Sequence, residues 1–181
     1  MIRAFSAISF FLILALFLAC QREQQKDMPL QKQSSLISPK VNLLTRDSLE
    51  NLLKVRNGKA LFLNVWATWC IPCREEFPDI VKLFRKYKKE KIDFVGISAD
   101  FPDEIESKVI PFLQDQKVDF PIYVQNFEHQ EDLINRLNPE WSGALPATLL
   151  YNDRGELINF MLGKQSYQQF KEAIDTLLKS S

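Results

Sequence analysis

The stretch Trp69-Cys70-Ile71-Pro72-Cys73 carries two cysteines separated by two residues, after an apolar run and at the start of a helical pattern. This spacing places both sulfurs on the first turn of one helix, where they are close enough to form a disulfide. The helix N-terminus carries a partial positive charge and unsatisfied N–H groups, which favour a thiolate on Cys70. Pro72 is tolerated in the first turn because its missing N–H has no helical partner there. The stretch therefore predicts dithiol–disulfide redox chemistry by Cys70 and Cys73.

Two other interpretations of the cysteine pair remain open. A zinc site would need a second pair of ligands, and the sequence offers only Cys20 and His129 as further cysteine and histidine. A purely structural disulfide ordinarily connects distant segments, whereas a bridge between Cys70 and Cys73 closes a very small loop. Redox chemistry is the favoured interpretation, and we expect it to need no metal and no cofactor.

The first 19 residues have the pattern of an export signal. Arg3 supplies the positive charge, and residues 5–18 are apolar apart from two serines. The run is short for a membrane span, which needs about 20 apolar residues, so a removable signal is favoured over a permanent anchor. The segment Leu16-Phe17-Leu18-Ala19-Cys20 resembles a bacterial lipoprotein signal, which implies that Cys20 is the lipidated first residue of the mature protein. The alternative is an ordinary signal peptide followed by an incidental cysteine.

Residues 20–39 are expected to form a lipid-attached flexible tether, because they are rich in Gln, Lys and Ser and lack aromatic residues. The remaining residues, 40–181, suit one compact domain. The chain has 23 basic and 23 acidic residues, so nothing in its charge indicates nucleic-acid binding or electrostatic attachment to a membrane. We expect a lipid-anchored protein of the bacterial cell envelope that faces the periplasm or the exterior.

The order of hydrophobic patterns along the domain predicts an α/β fold with a central mixed sheet and helices on both faces. The apolar run Ala60–Trp66 fits a strand that is buried on both faces of the sheet. Asn152-Asp153-Arg154-Gly155 lies between two apolar runs and indicates a β-hairpin. Strands are predicted at 40–44, 60–66, 92–99, 145–151 and 156–162, and helices at 46–56, 71–90, 100–117, 128–137 and 166–179. The helix at 128–137 is an inserted helical segment before the hairpin.

Residues 64–78 resemble the active-site block of the thioredoxin superfamily, and they read Asn64-Val65-Trp66-Ala67-Thr68-Trp69-Cys70-Ile71-Pro72-Cys73-Arg74-Glu75-Glu76-Phe77-Pro78. Within that superfamily they resemble the TlpA-like, membrane-tethered thiol–disulfide oxidoreductases of bacteria. Two further stretches of this chain together resemble a second signature of the family. They are Gly143-Ala144-Leu145-Pro146-Ala147-Thr148 and, after it, Asp153-Arg154-Gly155-Glu156. The resemblance covers roughly residues 41–179 and implies a thioredoxin-like fold. One departure is that residues 46–56 look helical, where the family commonly begins with a hairpin and a loop.

The resemblance also implies a cis peptide bond between Leu145 and Pro146 that faces the cysteine pair. The cis form is accessible before a proline because it costs only about 0.5–1 kcal/mol there. It would turn the backbone of Leu145 outward, where it can pair with an extended substrate strand beside Cys70. The alternative is a trans proline at a strand edge. The expected substrate-binding residues are Trp69, Ile71, Pro72, Leu145 and Pro146.

Cys70 is the predicted nucleophile, and Cys73 is the predicted buried partner that resolves the mixed disulfide. Asn64 stands where thioredoxin itself carries a buried aspartate, and an amide cannot accept the proton of Cys73. Glu76 lies three residues after Cys73 on the same helix face and matches a glutamate that the family places near its redox pair. We expect Glu76 to take the proton from Cys73 or to raise its pKa by like-charge repulsion. The alternative is a surface glutamate near a helix N-terminus, like Glu75.

The leading functional hypothesis is a protein-disulfide reductase that works outside the cytoplasm and is re-reduced by a membrane-embedded thiol donor. The resemblance implies apocytochrome c or a copper-site protein as its client. A disulfide oxidant or isomerase is the nearest alternative, because the direction depends on a reduction potential that Ile71 and Pro72 do not fix. A metal-delivery module that binds metal through the two thiols is an alternative of a different class. A peroxidase of the same fold is disfavoured, because it needs an earlier cysteine in a loop that contains Pro and Thr.

Overall fold

A computed structural model describes residues 39–179 of the chain. The expected signal segment (1–19), Cys20 and all but the last residue of the expected tether (20–39) lie outside the described residues. No helix in the described part of the chain combines the length and the apolar character needed to cross a bilayer.

Strands and helices alternate along residues 39–179, except that two consecutive strands precede the last helix. The strands are β1 (Val41–Leu44), β2 (Ala60–Trp66), β3 (Ile92–Ser98), β4 (Ile122–Gln125), β5 (Ala147–Tyr151) and β6 (Leu157–Leu162). The α-helices are α1 (Arg46–Lys54), α2 (Ile71–Tyr87), α3 (Ile110–Asp115), α4 (Gln130–Leu137) and α5 (Tyr167–Lys179).

The six strands make one mixed sheet in the order β1-β4-β3-β2-β5-β6. β2 and β3 are parallel, and β4 is parallel to both β3 and β1. β5 is antiparallel to β2, and β6 is antiparallel to β5, which confirms the predicted hairpin. Every residue of β2 is buried, as the apolar run Ala60–Trp66 predicts.

Helices cover both faces of the sheet and divide the core into two clusters. On one face, Phe62 and Trp66 of β2 belong to the cluster that contains Phe77 of α2 and Phe170 of α5. On the other face, the alternate residues Leu61, Leu63 and Val65 join a cluster that contains Leu49 of α1 and Leu133 of α4. Side chains of a strand point alternately to opposite faces, so this single strand contributes to both clusters. The predicted α/β architecture with helices on both faces is confirmed.

The region between β3 and β5 differs from the predicted helices. The segment 100–117 is not one α-helix: a 3₁₀ turn (Pro102–Glu104) and a π turn (Ile105–Val109) precede α3. Pro111 has no N–H for the carbonyl four residues earlier, and the preceding N–H, that of Ile110, bonds the carbonyl of Ile105 in the wider π pattern. β4 follows α3 and precedes α4, so the insertion before the hairpin is a strand and a helix and not a helix alone.

The remaining differences are confined to element ends. α2 ends at Tyr87 and not near residue 90, because a tight turn in which the N–H of Glu90 bonds the carbonyl of Tyr87 leads directly into β3. The first hairpin strand begins at Ala147, after Pro146, and not at Leu145. These shifts leave the cysteine pair at the N-terminus of α2 and Pro146 immediately before β5.

Candidate active site

Cys70 and Cys73 form a disulfide at the N-terminus of α2, with their Cα atoms 5.3 Å apart. Cys70 is the N-cap residue of the helix, and its Sγ accepts a hydrogen bond from the backbone N–H of Cys73 across 3.3 Å. Cys70 is 6% exposed and Cys73 is fully buried. Cys70 is therefore the sulfur that a substrate can reach, and it lies where the helix N-terminus favours a thiolate.

The surface next to Cys70 is apolar. Trp69 and Ile71 are 63% and 68% exposed, although large apolar side chains are ordinarily buried. They form part of an open groove that joins the start of α2 to the loop before β5. The groove is lined by Trp69, Cys70, Ile71, Pro72, Gly143, Ala144 and Leu145.

The peptide bond between Leu145 and Pro146 is cis, as the resemblance predicts. Leu145 lines the groove and Pro146 is buried behind it, so the two residues do not contribute in the same way. The Pro146 carbonyl accepts a hydrogen bond from the N–H of Gly163 across 2.8 Å, and the indole N–H of Trp141 donates to the carbonyl of Ala144 across 2.9 Å. These bonds attach the loop to β6 on one side and to a buried tryptophan on the other.

Gly143 allows the loop to take this shape. Its φ of +84° lies in the region that L side chains rarely adopt, and an added Cβ would lie 2.7 Å from Cδ1 of Ile134 in α4. A larger residue at this position would strain the backbone and would require the end of the Ile134 side chain to shift. Both the positive φ and the contact with Ile134 therefore favour glycine at position 143.

Glu76 is buried beneath the cysteine pair, with 1% of its surface exposed. Its Oε1 accepts a hydrogen bond from Nδ2 of Asn64 across 3.0 Å, and its Oε2 accepts one from the backbone N–H of Gln165 across 2.9 Å. The alternative of a surface glutamate is therefore wrong for Glu76. It is correct for its neighbour Glu75, which is exposed and pairs with Lys164 across 2.7 Å.

Burial raises the pKa of Glu76 from 4.5 to about 7, because desolvation disfavours the charged carboxylate. The hydrogen bonds from Gln165 and Asn64 oppose this shift, since they stabilise the charged form, but they do not outweigh it. A carboxyl group with this pKa exchanges its proton near neutral pH, which is the range where a general base is most effective. It lies one helical turn after Cys73, so the carboxyl and the buried sulfur share one face of α2.

Asn64 links Glu76 to the strand that follows the cis proline. Its Nδ2 donates to Oγ1 of Thr148 in β5 across 2.9 Å as well as to Glu76. Its Oδ1 has no hydrogen-bond partner within residues 39–179, although the side chain is buried. The bond from Asn64 to Thr148 and the bond from the backbone of Gln165 to Glu76 were not predicted. A polar residue inside the fully buried β2 does indicate that such partners exist, since buried polar groups are almost always paired.

Trp66 and His129 do not line the groove. Trp66 is fully buried between Phe77 and Phe112, with ring centroids 4.7 and 5.0 Å away. His129 is exposed and precedes α4. Within residues 39–179, no group of three or more His, Cys, Asp and Glu side chains is arranged to hold a metal ion.

The chain is similar in sequence to one protein family and to named thiol-disulfide oxidoreductases. The sequence profile of the AhpC/TSA family matches residues 39–160. The thiol-disulfide oxidoreductase ResA of Halalkalibacterium halodurans is 28% identical over 139 residues, which cover 76% of this chain and 74% of the relative. ResA of Bacillus cereus is 31% identical over 120 residues, which cover 66% of this chain and 64% of the relative.

Solved structures show the same fold. A thiol:disulfide interchange protein of the thioredoxin family from Chlorobium tepidum superposes with a TM-score of 0.58 at 25% identity, covering 68% of this chain and 82% of that protein. StoA from Bacillus subtilis superposes with a TM-score of 0.51 at 22% identity, covering 64% of this chain and 81% of StoA. The fold is thioredoxin-like, and the chain belongs to the AhpC/TSA family.

Proposed function

We propose that this protein is a thiol–disulfide oxidoreductase that exchanges its Cys70–Cys73 disulfide with disulfides of substrate proteins. The observation that carries this proposal is the arrangement around the disulfide: Cys70 alone opens to a groove, and the buried carboxyl of Glu76 lies one helical turn behind Cys73. Relatives with 28% and 31% identity that bear the name thiol-disulfide oxidoreductase support it.

The exchange proceeds in two balanced steps. In the reduced protein, the Cys70 thiolate attacks one sulfur of the substrate disulfide; that bond breaks, a mixed disulfide forms, and the other substrate sulfur leaves as a thiolate. Cys73 then attacks Cys70 and releases the second substrate sulfur. The substrate gains two electrons, and the protein returns to the disulfide seen in the structure.

Glu76 assists the second step by accepting the proton of Cys73. A thiol must lose its proton before it can attack, and Cys73 is fully buried, where bulk water does not reach it. Glu76 is on the same helix face, and its pKa of about 7 lets it hold this proton and release it later at neutral pH.

The groove between Trp69 and Leu145 receives the substrate. An extended chain that pairs with the backbone of Leu145 would bring its own sulfur beside Cys70, with apolar neighbours against Trp69 and Ile71. We therefore propose Trp69, Ile71, Pro72 and Leu145 as substrate contacts, with Pro146 as the buried residue that supports Leu145.

We propose that the net direction is reduction of protein disulfides outside the cytoplasm. A lipid on Cys20 would hold the domain at the membrane, and a membrane-embedded thiol donor would restore the dithiol after each turnover. Apocytochrome c and copper-site proteins are the client classes that the family resemblance suggests. A Cys20→Ser variant tests the tether: it should lose incorporation of labelled fatty acid, and equal labelling of the variant and the unmodified protein would contradict lipidation at Cys20.

The activity is tested with a disulfide-containing protein such as insulin. The reduced protein should reduce its disulfides, and a Cys70→Ser variant should lose this activity completely. If the Cys70→Ser variant is as active as the unmodified protein, the redox proposal is wrong. A reduced protein that binds a copper ion tightly but does not react with disulfides would favour metal delivery instead.

A further inference from the structure

A second buried carboxyl group lies near the redox centre and is not used by the chemistry above. Asp100 follows β3 with one residue between them and is fully buried. Its Oδ2 accepts hydrogen bonds from the backbone N–H of Thr68 across 2.9 Å and from the hydroxyl of Ser98. Its Oδ1 accepts a hydrogen bond from Oγ1 of Thr68 across 2.5 Å.

Thr68 belongs to the connection that carries Cys70 from the end of β2 to the start of α2. Two further backbone bonds shape this connection: Ala99 donates to the carbonyl of Trp66 across 2.8 Å, and Cys70 donates to the carbonyl of Ala67 across 3.2 Å. The end of β3 therefore holds the connection at two points, through the Ala99 backbone and through the Asp100 side chain. Only the second point depends on the identity of a side chain.

The carboxyl group of Asp100 is committed to these contacts. No ion pair within residues 39–179 involves Asp100, although Lys108 interacts with its charge at longer range. Each of its oxygens accepts a hydrogen bond from Thr68, and Oδ2 accepts another from Ser98. Burying a polar group costs free energy unless the group is hydrogen-bonded. The bonds between Thr68 and Asp100 therefore stabilise Asp100 in its buried position and Thr68 in its half-buried position. Ser98 completes the arrangement, because its hydroxyl also accepts the backbone N–H of Asp100 across 3.0 Å.

We propose that Asp100 is a positioning residue of the redox centre, which fixes Thr68 and through it the place of Cys70 at the N-terminus of α2. The hydrogen bonds of Asp100 are independent of the proposed oxidoreductase function. Their effect on the reactivity of Cys70 rests on that proposed function. The disulfide ties Cys70 to α2 in the oxidised protein. In the dithiol form this bond is absent, and the hydrogen bonds of Thr68 restrain the residues before Cys70 together with the backbone bonds of Ala99 and Cys70.

Three variants separate positioning from charge and from general stability. Asp100→Ala removes all three accepted bonds. Asp100→Asn can keep them, because its oxygen can accept from Thr68 N–H and Ser98 while its amide donates to Oγ1 of Thr68. Thr68→Val removes the bond to Oδ1 but keeps the backbone bond.

The control is Arg56→Met at the opposite end of β2. Arg56 is also buried and hydrogen-bonded, to the carbonyls of Leu52 and Ala60, so its loss lowers stability without touching the cysteine connection.

The readout is the rate at which iodoacetamide alkylates Cys70 in the reduced protein, measured across pH by peptide mass spectrometry. Asp100→Ala should slow alkylation at neutral pH by about tenfold and move its pH midpoint upward, because Cys70 no longer holds its place at the helix N-terminus. Asp100→Asn and Arg56→Met should stay within about twofold of the unmodified protein, with Thr68→Val in between.

Three results would overturn the inference. If the pH midpoint of either variant moves downward, Asp100 acts through its charge, since removing a nearby negative charge lowers a thiol pKa. If Asp100→Asn is as impaired as Asp100→Ala, the hydrogen bonds that an amide can form do not account for the role of Asp100. If Thr68→Val and Asp100→Ala are alkylated at the same rate as the unmodified protein, the bonds between Asp100 and Thr68 do not position Cys70. Should Asp100→Ala fail to fold, Thr68→Val and Asp100→Asn still decide. Alkylation needs no protein substrate, so its outcome is separable from the insulin assay that tests the proposed function.

Discussion

Asn64 donates a hydrogen bond from its Nδ2 to Oε1 of Glu76 across 3.0 Å and so connects the central strand of the sheet to the helix that carries both cysteines. In thioredoxin itself, the position of Asn64 is a buried aspartate. Here the acid is on the helix and the strand supplies only an amide. The proton acceptor that we propose, Glu76, therefore lies one turn beyond Cys73 in the same helix.

Replacing Glu76 with glutamine should slow the step in which Cys73 resolves the mixed disulfide. The amide has nearly the size of the carboxyl but cannot accept the thiol proton, and loss of a general base costs roughly 10²–10⁴-fold in rate. Rapid-quench measurement of substrate release should show this loss together with an altered Cys73 titration. Glu75→Gln is the matched control, because Glu75 is the exposed neighbour, and it should behave like the unmodified protein. If the Cys73 thiol titrates in Glu76→Gln as it does in the unmodified protein, the proposed role of Glu76 as its proton acceptor is wrong.

The stability of the oxidised protein should decline as pH rises through the interval between 4.5 and about 7, the ordinary and the folded pKa of Glu76. In this interval the folded state binds more protons than the unfolded state, so the free energy of unfolding falls with increasing pH. The contribution of Glu76 amounts to about 3 kcal/mol, fully present below the interval and lost above it.

This decline is measured by denaturant unfolding at a series of pH values, with Glu76→Gln and Glu75→Gln in parallel. Glu76→Gln should flatten the decline, and Glu75→Gln should leave it unchanged. If the free energy of unfolding falls as steeply with pH in Glu76→Gln as in the unmodified protein, groups other than Glu76 cause the decline.

Asn64→Leu should raise the pKa of Glu76 further, because the hydrogen bond from Asn64 stabilises the carboxylate. It should also lower the free energy of unfolding by about 1–3 kcal/mol, since Glu76 loses a buried partner. Thr148→Val is the matched variant: it removes the other acceptor of Nδ2 but keeps the bond to Glu76. Carboxyl titration by infrared spectroscopy should therefore shift in Asn64→Leu and stay near its original midpoint in Thr148→Val.

Cys73→Ser should trap the mixed disulfide, because the resolving thiol is absent while Cys70, which opens to the groove, is intact. Mass spectrometry of the trapped complex should place the bond on Cys70. Adding Leu145→Pro to this variant should reduce trapping strongly, since proline removes the backbone N–H that we expect the substrate to pair with. Efficient trapping through Cys73 in a Cys70→Ser protein would reverse the assigned roles.

The elements that depend on local pattern could be predicted from the sequence. The bounds of β2 agree with the apolar run Ala60–Trp66, and α2 begins at Ile71, directly after Cys70. β4 was not assigned, although the equally short β1 was predicted, because the place of β4 in the sheet depends on pairing with β1 and β3, which are distant in sequence.

The site was predictable where chemistry depends on spacing and not where it depends on packing. Glu75 and Glu76 are adjacent and chemically identical, and only the direction of each side chain in the folded helix makes one exposed and the other buried. The contacts of Thr148 with Asn64 and of Asp100 with Thr68 join residues 84 and 32 positions apart, which no local pattern reveals.

The equilibrium reduction potential of the Cys70–Cys73 pair tests the central proposal most directly. It is obtained by titrating the protein in glutathione buffers and counting free thiols by mass spectrometry. We predict a value near that of thioredoxin, about −270 mV, which suits a reductase. A value near −120 mV, as in strong oxidants, would contradict the reductase direction. A disulfide that does not equilibrate with the buffer at all would contradict a redox function.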